Sequence, residues 1–204
     1  MADKTGACNL AISHLGLSKE IGNVETERSA EATACRRYYA PALLEALRDY
    51  ANPSSTVIKD LALVTDLRDT ENAEWSFSYR YPADCAKAVR IPSGIRNDTE
   101  TTRIPYRIIS DDQGQLILTD KEDAQLEYCT NVDDPSKWQP DFLMAFTLLL
   151  AAYIAPRITA GDPFKMGERS YRLYLLSNSK SKANAIGEQQ AEEPPDSEYI
   201  NSRN

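Results

Sequence analysis

The sequence has few residues of the kinds that bind metals or carry out acid–base catalysis. Histidine occurs once among the 204 residues, at His14, and the four cysteines are widely separated along the chain. No two cysteines have the C-x-x-C spacing of a zinc site. The eight glycines form neither of the common phosphate-binding loops. His14 lies within a short apolar segment that is typical of packing. We therefore expect no metal, no cofactor and no catalytic residue.

Basic residues are fewer than acidic ones, and the difference is unevenly distributed. Lys and Arg total 23 against 31 Asp and Glu, which gives a net charge of −8. This balance argues against a protein that coats DNA or a polybasic membrane binder. Segments 1–51, 52–134, 135–186 and 187–204 carry charges of −1, −7, +4 and −4.

Long hydrophobic runs are also scarce. No basic segment followed by an apolar one occurs near the first residue, so we expect no secretory signal and free, mostly buried cysteines in a reducing compartment. The most apolar stretch, at 142–155, is about 14 residues long, whereas a bilayer span needs about 20. We interpret it as a core helix of a protein without a membrane segment.

Helical patterns occur toward both ends of the chain. Residues 7–17 predict a short packed helix, and 27–51 predict a long amphipathic helix with Thr26 as its N-cap. Pro41 should kink or divide that second helix. Asp162 followed by a proline indicates the start of a last helix, which continues to about Ile186.

Strand-like patterns occupy the middle of the chain. The clearest is WSFSYRY at 75–81, where four aromatic residues alternate onto one face. They could stack nucleic-acid bases, but a sheet core or interface fits the acidic segment better. The sequence DDQG at 111–114 predicts a hairpin turn. The strand-like runs are 56–64, 75–81, 86–91, 104–109, 115–118 and 124–130.

These patterns together predict an α+β fold. Helices from 1–51 and 135–186 are expected to form one bundle, with a small antiparallel β domain inserted at 52–134. The polar segment 187–204 has two prolines and few bulky apolar residues, so we expect it to be disordered alone and ordered by a partner.

A basic stripe on the last predicted helix is the main candidate for partner binding. Its members are Lys165, Arg169, Arg172, Lys180 and Lys182. Such a stripe could contact DNA phosphates or an acidic protein, and a solvated helix face explains it as well.

Carboxylates leave an enzymatic alternative open. A cell-wall glycoside hydrolase could use helix or loop carboxylates, for example Glu45 and Asp49 on one helix face. Helix charge patterning explains that pair equally well, and turn chemistry explains the acidic loops. The acidic balance disfavours a DNA-binding regulator.

Six segments in a fixed order give the chain a family resemblance over residues 8–176. NLAI at 9–12 is followed by ACRRYY at 34–39 and LLEALR at 43–48. Further on come YRYPADC at 79–85, LILTD at 116–120 and DPSKW at 134–138. In this order and spacing the chain resembles the head-to-tail adaptor family of short-tailed bacteriophages, also called tail tubular protein A. The family's Pro-Trp pair after the second helix is replaced by YANP at 50–53, and the acidic tail has no counterpart.

The resemblance implies a virion structural protein without enzymatic activity. Family members form a ring of twelve copies between the portal and the tail nozzle, and the ring continues the channel for double-stranded DNA. It implies synthesis in the host cytoplasm, a place at the head-to-tail interface of the virion and no sequence-specific DNA binding. On this reading the basic last helix contacts the portal.

Overall fold

The computed structural model describes residues 3–71, 73–95, 101–131, 133–160 and 162–188. The acidic tail is outside this range except for its first two residues. The helices are α1 (Lys4–His14), α2 (Ala30–Asp49), α3 (Pro140–Ile158) and α4 (Pro163–Glu188). The strands are β1 (Thr56–Asp60), β2 (Leu63–Asp66), β3 (Phe77–Arg80), β4 (Cys85–Arg90), β5 (Tyr106–Asp111), β6 (Gly114–Thr119) and β7 (Gln125–Thr130). This architecture confirms the predicted α+β class.

Helix α3 lies at the centre of the helical part. It contacts α1, α2 and α4, and its buried residues run from Phe142 to Ala155. Trp138 packs edge-to-face against Phe142 and Phe146, whose ring centroids lie 5.3 and 5.1 Å away. Because α3 is apolar on nearly every side, it is stable only when other elements cover it.

The length of α3 differs from the prediction. At 19 residues it is long and apolar enough to cross a membrane by length and composition alone. Its burial among the other helices instead fits the predicted core helix.

The start of α2 also differs from the prediction. The predicted N-cap, Thr26, lies in a turn where the side chain of Asn23 accepts hydrogen bonds from the backbone amides of Glu25 and Thr26. Because this side chain satisfies the local amides, the chain continues as a turn. The helix begins three residues later, where the side chain of Ser29 accepts from the amide of Ala32.

Pro41 does not divide α2. The helix is continuous from Ala30 to Asp49 with the proline inside it. Pro41 is exposed, so its missing hydrogen bond and its ring face solvent rather than the packed side of the helix.

The middle of the chain forms two antiparallel sheets. One has the strand order β1-β7-β4 and the other β2-β3-β6-β5. The run predicted as one strand at 56–64 is two strands, because the chain passes from the first sheet to the second between Asp60 and Leu63. The hairpin predicted at 111–114 joins β5 to β6 with Asp111 opposite Gly114.

The two sheets enclose a second core. Phe77 and Tyr79, two of the four alternating aromatic residues, are buried there with Ile117, Leu126 and Tyr128. The prediction that this aromatic face packs in a sheet core is therefore confirmed for β3. Three of the four cysteines, Cys8, Cys35 and Cys129, are buried as expected.

Helix α4 is joined to α2 by a partly buried hydrogen bond. Tyr174 is fully buried, and its hydroxyl donates to Oδ2 of Asp49 at 2.6 Å. Burial and the adjacent Asp49 carboxylate raise the pKa of Tyr174 above its usual range. This contact links residues 125 positions apart and closes the bundle.

We predict that Tyr174→Ala lowers the free energy of unfolding by about 3–5 kcal/mol, because it leaves a cavity and removes the hydrogen bond to Asp49. Tyr171→Ala is the matched control, since Tyr171 is exposed on the preceding turn of α4. Urea unfolding measures both variants, and equal losses would show that Tyr174 is not a core residue.

A second prediction concerns His14. Its Nε2 lies 3.2 Å from Oγ1 of Thr147 on α3, and burial lowers its pKa. The folded state therefore favours the neutral imidazole. The stability that this preference contributes is lost as pH falls below about 6.5, because the unfolded chain binds the proton at a higher pH than the folded chain does.

His14→Gln should remove this part of the pH dependence, because glutamine does not titrate. Unfolding free energies at pH 8 and pH 5 should then show a larger acid-induced loss for the wild type than for the variant. An equal loss in the two proteins would contradict the assignment.

Candidate interaction surface

Helix α4 buries small and polar side chains toward the bundle. The buried positions recur every three or four residues, which places them on one face of the helix. Apart from Tyr174, this face carries no large apolar side chain. The buried residues are Gly167, Ser170, Tyr174, Asn178, Ser181 and Ala185.

Small residues on this face allow α4 to lie close to α3. A Cβ atom added to Gly167 would be 3.1 Å from the backbone oxygen of Ala152 and 3.6 Å from Cβ of Ala155. Larger side chains here would push the two helices apart. The close approach leaves the bulky apolar residues of α4 on its other sides.

Those bulky residues are exposed to solvent. Phe164, Leu176 and Ile186 are 75, 69 and 70% exposed. Tyr171, Leu173 and Leu175 are also exposed. Single exposed apolar side chains are ordinary, but their concentration on one helix is typical of an interaction surface.

Most of the predicted basic stripe lies on an exposed side of α4 that also includes Leu173 and Leu176. Lys165, Arg169, Arg172 and Lys180 are all exposed, and their spacing places them along one side of the helix. Leu173 and Leu176 lie among them. Lys182 is half-buried and its position places it on a different side, so the structure separates it from the other four.

Few contacts within the chain neutralise the stripe. Arg172 pairs with Glu168 one turn earlier, at 2.6 Å. Among the described residues, Lys165, Arg169 and Lys180 form no ion pair. We define the exposed α4 face as Lys165, Arg169, Arg172, Leu173, Leu176 and Lys180.

A shallow groove lies beside this face, where α2, α3 and α4 meet. Its volume is about 450 Å³, and Phe164, Tyr171 and Glu45 are among its lining residues. The hydroxyl of Tyr153 donates to the Glu45 carboxylate, and this contact raises the pKa of Tyr153 to about 12. Tyr153 also stacks on Tyr38 with ring centroids 5.9 Å apart.

The two carboxylates considered for glycoside hydrolysis have structural contacts. Glu45 accepts from Tyr153 on α3, and Asp49 accepts from Tyr174 on α4. Glu45 lines the groove, whereas Asp49 is not one of its lining residues. Both carboxylates of this pair therefore accept hydrogen bonds from tyrosine hydroxyls of neighbouring helices.

No other chemical cluster stands out in the described part of the chain. There, no group of three or more His, Cys, Asp or Glu side chains is arranged to hold a metal ion. His14 is the last residue of α1, and its side chain contacts Thr147 on α3. It does not belong to the exposed α4 face.

Sequence reasoning identified the basic residues of this surface but missed the apolar ones. Leu173 and Leu176 lie among basic residues at helical spacing, and this interleaving was the available signal. The signal is ambiguous because apolar residues on a helix usually indicate its buried side.

Comparisons with known proteins do not identify the chain. No family model matches it, and a search of curated proteins gives no match. The resemblance to phage adaptors thus remains a prediction from residue patterns.

We predict that Leu173→Gln and Leu176→Gln each change the free energy of unfolding by less than about 0.5 kcal/mol, because both side chains are exposed. Leu149→Ala, at a buried position on α3, should instead cost about 2–5 kcal/mol. Thermal or urea unfolding gives these values. A large loss for either glutamine variant would place that leucine in the core.

Proposed function

We propose that this chain is a structural connector of a phage virion, which assembles as a ring between the portal and the tail nozzle. The observation that carries the proposal is the arrangement of α4. Its bulky apolar and basic side chains are directed outward, and its small residues are directed toward the bundle. The sequence motifs occur in an order that resembles the adaptor family, and this resemblance indicates which assembly we propose.

A ring requires two different surfaces on each copy. Head-to-tail contacts close into a ring when the rotation between neighbours divides the circle evenly. In the proposed ring these two surfaces are distinct from the exposed α4 face, which is directed toward the portal. In this proposal twelve copies associate around the DNA channel, as the resemblance implies.

The portal is the proposed partner of the exposed α4 face. An interface core of leucines with arginines and lysines around it combines apolar burial with charge complementarity. The face therefore suits an acidic, partly apolar protein surface.

The β-rich part is proposed to contribute to the channel and to the contact with the nozzle. Segment 52–134 carries a charge of −7. Acidic residues at the lumen would repel DNA phosphates, so packaged DNA could slide through without being held. Sequence-specific DNA contacts are not part of this role.

The proposed role needs no catalysis. Glu45 and Asp49 act in it as hydrogen-bond acceptors for tyrosines of neighbouring helices. The protein would be made in the host cytoplasm and incorporated at the head-to-tail interface.

Charge reversal tests the portal contact. We predict that Lys165→Glu, Arg169→Glu and Arg172→Glu combined weaken binding to the portal protein of the same phage by at least about tenfold, since three favourable charges become repulsive. Binding of immobilised portal, measured by interferometry at fixed salt, gives the affinity.

The matched control reverses three exposed basic residues elsewhere, Arg28, Arg37 and Lys121, and changes the net charge by the same amount. It should leave binding within about twofold. Equal loss in both variants would show a general charge effect, and unchanged binding in the first would remove the exposed α4 face from the portal contact.

A further inference from the structure

The exposed α4 face is positive and partly apolar, and the chain continues directly from this helix into a negative segment. Residues 189–204 contain four acidic residues and one basic residue. They also contain two adjacent bulky apolar residues, Tyr199 and Ile200. The face and the segment are therefore complementary both in charge and in apolar character.

The spacing of the charges agrees as well. Lys165 and Lys180 are 15 positions apart on a helix, which corresponds to about 22 Å at the helical rise. Glu192 and Glu198 are six positions apart, which corresponds to about 20 Å in extended chain. The acidic residues can thus follow the basic stripe over its length.

The segment is also long enough to return along its own helix. From Glu188 back to Lys165 is about 35 Å of helix. The ten residues from Glu188 to Glu198 can extend over about 33–36 Å, so Glu198 reaches Lys165 when the segment is almost fully extended. A tethered segment of this length has an effective concentration in the millimolar range at its own helix, which favours contact within one chain over contact between chains.

We propose that residues 189–204 dock on the exposed α4 face of their own chain. Glu192 and Glu193 then lie near Lys180, and Glu198 lies near Lys165 and Arg169. Tyr199 and Ile200 then lie near the exposed Phe164 at the start of α4, and the segment before them passes over Leu173 and Leu176. The docking covers an apolar helix face in the free protein.

The docking does not depend on the proposed function. If the portal binds the exposed α4 face, the tail and the portal compete for it, and only this competition rests on the proposed function. The tests below use the full chain alone, so their outcome is independent of portal binding.

Zero-length cross-linking tests the contact. A carbodiimide joins a carboxylate to a lysine only when the two groups are in contact. We expect cross-linked peptides between Glu198 or Asp196 and Lys165 in the full chain at low salt. Lys165 is the informative lysine, because it lies far from the point where the tail begins.

The same experiment contains its controls. Lys121 and Lys137 are exposed lysines outside α4 and should give no comparable product. The yield at Lys165 should fall severalfold between 50 mM and 500 mM salt, because exposed ion pairs are screened. Equal yields at Lys121 and Lys165, or no product at Lys165, would overturn the proposal.

Isotope labelling distinguishes docking within a chain from docking between chains. In an equal mixture of ¹⁵N-labelled and unlabelled protein, docking within one chain gives only uniformly labelled or unlabelled cross-links. Mixed products would assign the exposed α4 face to the tail of a neighbouring copy and overturn docking within the chain.

A variant provides a second measurement that does not rely on cross-linking. Neutralising the tail by Glu192→Gln, Glu193→Gln, Asp196→Asn and Glu198→Gln should raise the rate of amine labelling at Lys165 by about threefold, as expected when weak surface ion pairs are lost. Labelling of Lys121 should be unchanged. An unchanged rate at Lys165 would contradict the docking.

Discussion

Helix α3 has almost no polar side, and the remainder of the fold covers it. A helix of this kind cannot remain in water, so α1, α2 and α4 must surround it. Two of these helices precede the β-rich segment and one follows α3 itself. The middle of the chain is therefore an insertion between two parts of one bundle, and the partly buried hydrogen bond between Tyr174 and Asp49 joins those parts.

The packing of α4 on α3 determines which side chains of α4 are exposed to solvent. Gly167 and the small residues that follow it allow the helices to approach closely, since a Cβ atom added at Gly167 would lie only 3.1 Å from the Ala152 oxygen. Because small residues occupy the inner face, the leucines of α4 lie on the outer face among basic residues. Exposed apolar side chains have a cost in solubility, and a protein surface or the chain's own tail can cover them.

Much of the fold could be predicted from local patterns. Three features can be recognised from neighbouring residues alone. They are the apolar run of α3, the alternation at Phe77 and Tyr79, and the DDQG turn. The predicted start of α2 at Thr26 is wrong because Asn23 holds Glu25 and Thr26 in a turn, and Ser29 caps the helix instead. The break between β1 and β2 has no glycine or proline to indicate it. Which side of α4 is buried depends in part on the contact between Tyr174 and Asp49, which lies 125 positions away. No local pattern reveals such a contact.

In the proposed role the exposed α4 face serves assembly, and the sedimentation mass of the protein, alone and mixed with the portal protein proposed to bind it, is the most direct test. A ring connector should form a large closed complex of one size when the portal protein is present. A protein that sediments as a free monomer beside the portal would contradict it.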